Sequence, residues 1–334
     1  MNLGQRLVAS LLVGFGICAL VMPFLVRFMK KRKMKQVILH YVDMHSGKAG
    51  TPTMGGIGFI FAYLVASIIF ARGETTLTIM SVIVCISFAI IGFLDDFIKF
   101  KFKQNRGLRP YQKIISQLVV AVAVAVFASK SIFVGGELFV PFISKTINIG
   151  WGIIPFAVFI FLATTNSVNL TDGLDGLASL TSIAFLASFV VILFLEISGG
   201  MFELTSTEEY SNLMVSCSAM VGALIGFLLF NGFPAKIFMG DTGSLALGGM
   251  IASVCIFSRN SLYIPILGIM FVLSSVSVIL QVAYFKKTHG KRIFLMSPLH
   301  HHFEKKGISE VKIVVWYAVI TLVVGLSTAF ILMI

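Results

Sequence analysis

Apolar residues run in long, nearly unbroken stretches along this chain, separated by short clusters of charge, glycine and amide side chains. About ten stretches read as membrane spans: Leu7–Phe28, Thr53–Ala71, Thr78–Leu94, Ile114–Ser129, Gly152–Thr165, Leu174–Ile197, Leu213–Phe230, Gly243–Phe257, Ser261–Phe285 and Val311–Met333. A hydrocarbon core of roughly 30 Å is crossed by about 20 helical residues, and several of these stretches are shorter and glycine-rich. Lipid offers no partner to an unpaired backbone group, and the period-2 alternation of a barrel strand is absent, so the spans are read as helices. The pattern predicts an all-α, polytopic integral membrane protein. No repeat, low-complexity tract or linker divides it, so residues 1–334 are expected to form one integral membrane domain.

Basic residues orient the spans. They gather in three connections, Arg27–Lys48, Lys99–Lys113 and Lys286–Lys312, with Lys236 on the same side. Only Arg6, Arg72, Lys130, Lys145 and Arg259 fall opposite. The positive-inside rule makes the rich side cytoplasmic and places both termini outside. The first span runs straight into Lys30-Lys31-Arg32-Lys33, which reads as an uncleaved anchor rather than a signal peptide.

Composition agrees: 57% of residues are hydrophobic and mean hydropathy is +0.98. The net charge of +12 then reads as topology plus attraction for anionic lipid or substrate, not as nucleic-acid binding. Cys18, Cys85, Cys217 and Cys255 stand singly in apolar spans without metal-ligand spacing and read as small packed residues.

Acidic residues divide by type. Asp43, Asp95, Asp96, Asp172, Asp175 and Asp241 all fall on the cytoplasmic side, as do all six histidines. Aspartate hardly influences topology, so this confinement asks for a chemical reason. Glu74, Glu137, Glu196, Glu203, Glu208 and Glu209 lie at the outer side and read as a solvated face without chemistry; Glu304 and Glu310 are inside. A transporter ordinarily places ionisable groups or broken helices near the midplane, whereas none of these spans has an ionisable residue near its middle. Chemistry at the cytoplasmic rim, joining a soluble substrate to a lipid one, fits better.

Four motifs occupy that rim. The third span ends in Gly92-Phe93-Leu94-Asp95-Asp96-Phe97-Ile98-Lys99, where adjacent carboxylates suit a divalent metal or a proton, or else form a solvated helix terminus. Between the fifth and sixth spans, Asn166 to Gly176 carries two amides and two carboxylates; one of its polar residues is expected to cap the sixth helix. Phe238-Met239-Gly240-Asp241-Thr242-Gly243-Ser244 opens the eighth span and suits phosphate with its metal, although an N-cap role explains Asp241 equally well. In the last cytoplasmic loop, His300-His301-His302 cannot all face one way, so one imidazole is expected to have a bonding or metal role and the rest to lie on the loop surface. Lys48, Lys99 and Lys113, near helix ends, are candidates for phosphate contacts.

Together, Asp95-Asp96, Asn166 through Asp175, Phe238 through Ser244 and Pro298-Leu299-His300-His301-His302-Phe303-Glu304 resemble the motifs of the polyprenyl-phosphate N-acetylhexosamine-1-phosphate transferases. The last string and Gly50-Thr51-Pro52-Thr53-Met54-Gly55-Gly56 are similar, more narrowly, to the branch acting on UDP-N-acetylmuramoyl-pentapeptide. The resemblance follows nearly the whole chain in order, with that family's ten spans and outward termini; Gln36–Met44 departs by lacking its Arg and Gly-Pro pair.

The resemblance implies a Mg2+-dependent reaction of UDP-N-acetylmuramoyl-pentapeptide with undecaprenyl phosphate, giving lipid I and UMP on the cytoplasmic face of a bacterial inner membrane. It implies a metal on Asp241, catalytic roles for Asp95, Asp96, Asp241 and His300, and a homodimer. Substrate contacts are implied at Lys48, Thr53, Lys99, Lys113, Asn166, Asn169, Asp172, Asp175, Asn231, Phe238, Gly240, Gln281 and His301. A transferase of N-acetylglucosamine-1-phosphate would share the aspartates and metal; the triple-histidine string favours the muramoyl substrate.

Overall fold

The computed structural model describes residues 1–32, 50–102, 107–143, 145–200 and 204–334, the side chains of 204–206 excepted. Its elements follow the hydropathy closely. In chain order they are α1 (Leu3–Lys31), α2 (Gly56–Phe70), α3 (Thr76–Lys101), α4 (Pro110–Lys130), the strands β1 (Glu137–Val140) and β2 (Lys145–Asn148), α5 (Ile153–Thr171), α6 (Leu177–Ser198), α7 (Leu204–Asn231), α8 (Gly240–Phe257), α9 (Ile264–Leu267), α10 (Ile269–Lys287), α11 (Leu299–Lys305) and α12 (Glu310–Leu332). Among the described residues, nine helices are long and apolar enough to cross a membrane, and α2 is a shorter apolar helix of 15 residues. The protein is an all-α, multi-pass membrane bundle.

The least hydropathic spanning helix lies deepest. Every residue of α8 from Thr242 to Phe257 is buried. Its Gly, Ala and Ser positions let neighbouring backbones approach, which is how helices associate where lipid removes the hydrophobic drive. Around it pack α3, α5 and α2, while α7 packs against α1, α6 and α2. Peripheral helices turn large apolar side chains outward, such as Leu20 and Phe24 on α1 and Phe330 on α12. All four cysteines are free and buried.

Several expectations are corrected. The third and fifth spans run on as helices through Lys101 and Thr171, so Asp95 and Asp96 lie within α3, and Asn166, Asn169 and Thr171 lie within α5. None of the polar residues before α6 caps it: Gly176 holds that position without a side-chain bond, its left-handed backbone (φ +77°) being one that glycine adopts freely. The ninth span is broken at Gly268 between α9 and α10. An unforeseen hairpin pairs Glu137 with Asn148 and Val140 with Lys145.

The glutamates expected at the outer side are not uniformly solvated. Glu209 is buried and accepts the Thr76 and Leu77 N–H groups at 2.8 and 3.0 Å, so a carboxylate on α7 closes the first turn of α3. Glu196 is buried too, and accepts a bond from Asn260 Nδ2 at 2.6 Å. Orphan N–H donors at a helix start and the local dipole explain why α3 draws an anion inward.

Candidate active site

A close crossing of α3 over the start of α8 builds the site. A Cβ at Gly92 would press on the Asp241 carbonyl and come within 2.6 Å of the Thr242 nitrogen, so only glycine lets the backbones meet. Asp95 and Asp96 follow about one turn later. On the other side, the Pro52–Gly56 segment braces the entry to α8: Phe238 N–H donates to the Pro52 carbonyl (2.9 Å), and Gly55 and Gly56 donate to the Phe238 and Met239 carbonyls (2.8 and 3.0 Å). Gly240 has φ +72°, and a Cβ there would meet Asp96 Oδ2 at 2.5 Å and Thr53 Oγ1 at 2.7 Å.

The two adjacent aspartates do different work. Asp96 caps α8 from another helix: its Oδ1 accepts the Asp241 N–H at 3.2 Å, and its Oδ2 accepts the Thr242 N–H and hydroxyl at 2.9 and 2.7 Å. Asp95 accepts the Leu108 N–H at 2.8 Å and pairs with Lys99 Nζ at 2.5 Å. Asp241 is not an N-cap; Met239 holds that position. Its Oδ2 instead meets Lys99 Nζ at 2.9 Å and Lys113 Nζ at 3.0 Å, while its Oδ1 accepts from Asn169 Nδ2 at 2.7 Å.

One oxygen from each of Asp95, Asp96 and Asp241 can be chosen so that all three lie within 4.8 Å of one another. Such a set of hard carboxylate donors from two helices fits a divalent cation of the magnesium type. With two lysines beside it, the same centre can also bind phosphate oxygens.

Of the other predicted residues, Asn169 contacts this centre directly, and most of the rest have partners of their own. Asp172, at the end of α5, is held well above the ordinary carboxylate range by burial and by the charges of Asp241, Asp96 and Asp175. Asp175 accepts the Ala235 N–H at 2.8 Å, tying the α6 entry to the segment before α8. Asn231 is buried, bonding Ser179 and the Ile237 carbonyl (3.0 and 3.1 Å). Asn166 donates to Gln117 and the Leu162 carbonyl at 2.7 and 2.8 Å. Gln281 holds the Ile293–Phe294 backbone through three bonds of 2.9–3.0 Å. Lys48 lies outside the described residues.

The histidine string is a short helix, α11, not a loop surface. His300 is buried against Gly173, which has no room for a Cβ beside that ring. His301 Nδ1 sits 2.6 Å from Glu304 Oε2, and His302 Nδ1 accepts the Leu295 N–H at 3.1 Å. Burial and Lys306 lower the His302 pKa. His300 and His301 meet edge to face with ring centroids 4.3 Å apart, while their polar partners differ.

Thr242, Ser244 and Gly92 were not singled out as site residues, yet each shapes the centre; Gln117, also not singled out, is the partner of Asn166. Ser244 accepts from Asn169 at 2.8 Å, so it helps aim the amide that holds Asp241. Thr242 and Ser244 stood inside the Phe238–Ser244 motif, and Gly92 stood beside the paired aspartates. Gln117, about two turns into α4, carried no such signal.

Fold and site define a membrane-embedded transferase, and residues 76–259 match the model of a family described as Glycosyl transferase family 4. Over 321 residues the chain is 41% identical to the phospho-N-acetylmuramoyl-pentapeptide-transferase of Clostridium novyi (strain NT), covering 96% of this chain and 95% of that one. The protein of the same name from Caldanaerobacter subterraneus subsp. tengcongensis is 41% identical over 322 residues (96% of each chain). That from Maridesulfovibrio salexigens is 39% identical over 327 residues (96% of this chain, 91% of that one). The chain belongs to the phospho-N-acetylmuramoyl-pentapeptide-transferase family and is an enzyme of that kind.

Proposed function

We propose that this enzyme transfers phospho-N-acetylmuramoyl-pentapeptide from its UDP carrier to undecaprenyl phosphate, releasing UMP and lipid I, in the first membrane step of peptidoglycan synthesis. The observation that carries this reading is the convergence of Asp95, Asp96 and Asp241 with Lys99 and Lys113 at one end of a membrane bundle. Relatives bearing the transferase name along nearly the full chain support the choice of sugar nucleotide. The basic last turns of α3 and α10 support placing this end at the cytoplasmic face of a bacterial inner membrane, with both termini outside.

Acceptor and donor are both anionic, so their approach needs positive charge more than it needs a strong base. A phosphate monoester has its second pKa near 6, so the lipid phosphate is largely a dianion at neutral pH. Asp241 and Asp95 would hold Mg2+, with Asp96 beside them; bound there, it neutralises charge on the sugar-nucleotide diphosphate. Lys113 and Lys99 place ammonium groups against the leaving UMP phosphate. Asn169 keeps the Asp241 carboxylate aimed, and Asp96 fixes the helix that carries it. Asp95, whose carboxylate is not tied to the α8 backbone as that of Asp96 is, positions the lipid phosphate and takes its residual proton. One phosphate oxygen then attacks the β-phosphorus as the bond to UMP breaks.

The test follows UMP release by the solubilised full chain. UMP should appear only when the muramoyl-pentapeptide nucleotide, undecaprenyl phosphate and Mg2+ are all present. Turnover of UDP-N-acetylglucosamine in preference would refute the substrate assignment. Trapping a phosphorylated aspartate in a single turnover would refute direct attack.

A further inference from the structure

We propose that Lys99 is an exchangeable internal cation: its ammonium neutralises the three-carboxylate cluster, and a divalent ion entering that cluster drives it out toward the substrate phosphates. This rests on reading the cluster as a metal site. Lys99 Nζ lies 2.5 Å from Asp95 Oδ2, 2.9 Å from Asp241 Oδ2 and 4.0 Å from Asp96 Oδ1, so it touches or faces every carboxylate of the set. A metal bound by the same oxygens would sit within a few ångströms of that ammonium, and two cations so close repel strongly. Either the ammonium moves or the metal does not bind.

Lys113 provides the internal contrast. Its Nζ meets the same Asp241 oxygen at 3.0 Å, but its second contact is the neutral Asn169 amide oxygen at 3.4 Å, and it makes no ion pair with Asp95 or Asp96. The Lys99 side chain is 34% exposed and that of Lys113 17%, so Lys99 has the more open route to swing on its four-carbon stem. Metal entry and delivery of a lysine charge to the open end of the site therefore become a single event. Lys113 stays in place throughout.

The experiment measures Mn2+ affinity by electron paramagnetic resonance on the detergent-solubilised full chain, without substrate, with Asp241→Ala as the control for binding elsewhere. Lys99→Gln removes the competitor and should tighten Mn2+ binding about tenfold, within the usual range for coupling between two ligands. Lys113→Gln should tighten it much less. Lys99→Arg keeps the charge and adds a planar fork suited to Asp95, so it should weaken Mn2+ binding relative to wild type. In EDTA, Lys99→Gln should melt below wild type and recover most of the difference on adding Mg2+.

Equal gains from the two Gln variants would show a general field effect and overturn exchange. So would weaker Mn2+ binding in Lys99→Gln. If wild type and Asp241→Ala bind Mn2+ alike, the metal reading itself falls, and exchange falls with it.

Discussion

Replacing Asp96 tests whether its carboxylate serves chiefly to hold α8 rather than to react. The Ala variant strips the acceptor from three donors, the Asp241 N–H, the Thr242 N–H and the Thr242 hydroxyl, at a position where Asp96 is 4% exposed. An unsatisfied buried donor costs about 1–3 kcal/mol, and losing a capping side chain costs about 0.5–2 kcal/mol. Three donors at one helix end share a single relaxation, so their costs do not add fully; the expected loss is about 3–5 kcal/mol. Asp96→Asn keeps one carbonyl oxygen for α8 but turns an NH2 group toward the remaining donor, and should lose about 1–3 kcal/mol, less than Ala. Thermal unfolding in detergent should rank wild type, Asn and Ala in that order. Turnover should fall in step, by about 100-fold or more in Ala, because a shift of about 1 Å in Asp241 is costly to catalysis. Asp95→Asn supplies the contrast: its Oδ1 role toward the Leu108 N–H survives, so melting should change little while turnover drops by about 100-fold or more. An unaltered melting temperature in Asp96→Ala would refute the capping role, as would Asn and Ala variants that melt alike.

Three further outcomes are expected. Gly92→Ala forces a methyl group against the Asp241 carbonyl and should destabilise by about 1–3 kcal/mol while nearly abolishing UMP release, although no charge changes; normal turnover would refute the close crossing. Asp172 has a folded-state pKa above its unfolded value, so the folded protein binds its proton more tightly and loses stability as pH rises from the unfolded value through the folded one. In melts without substrate, Asp172→Asn should therefore exceed wild type at neutral pH, the difference vanishing toward pH of about 4, and a deficit at neutral pH would contradict the assignment. Glu209→Ala removes the acceptor for the Thr76 and Leu77 N–H groups and should cost about 1–2 kcal/mol in unfolding while leaving the KM for nucleotide unchanged; a changed KM would give Glu209 more than a structural role.

Much of the architecture was legible because bilayer physics is local. A stretch of apolar residues must close its own backbone hydrogen bonds within lipid, so length and hydropathy locate spans without knowledge of their neighbours. Boundaries failed where polar side chains sat on continuing helices. Asn166 and Asn169 look like loop residues by composition, yet α5 carries them because their amides find partners on α4 and α8. Glu209 looked solvated for a related reason: its partners are N–H groups 132 and 133 residues away.

By itself, the sequence determined most of the spans and the short motifs that carry carboxylates, amides and lysines. Only the tertiary structure decided the division of labour among them. Asp95 and Asp96 are chemically identical neighbours, but consecutive residues on a helix point about 100° apart. One therefore accepts the Leu108 N–H and pairs with Lys99, and the other accepts the backbone N–H groups at the start of α8, some 145 residues along the chain. A carboxylate's role follows from which donors surround it, and in a membrane bundle those donors are chosen by how closely the helices pack.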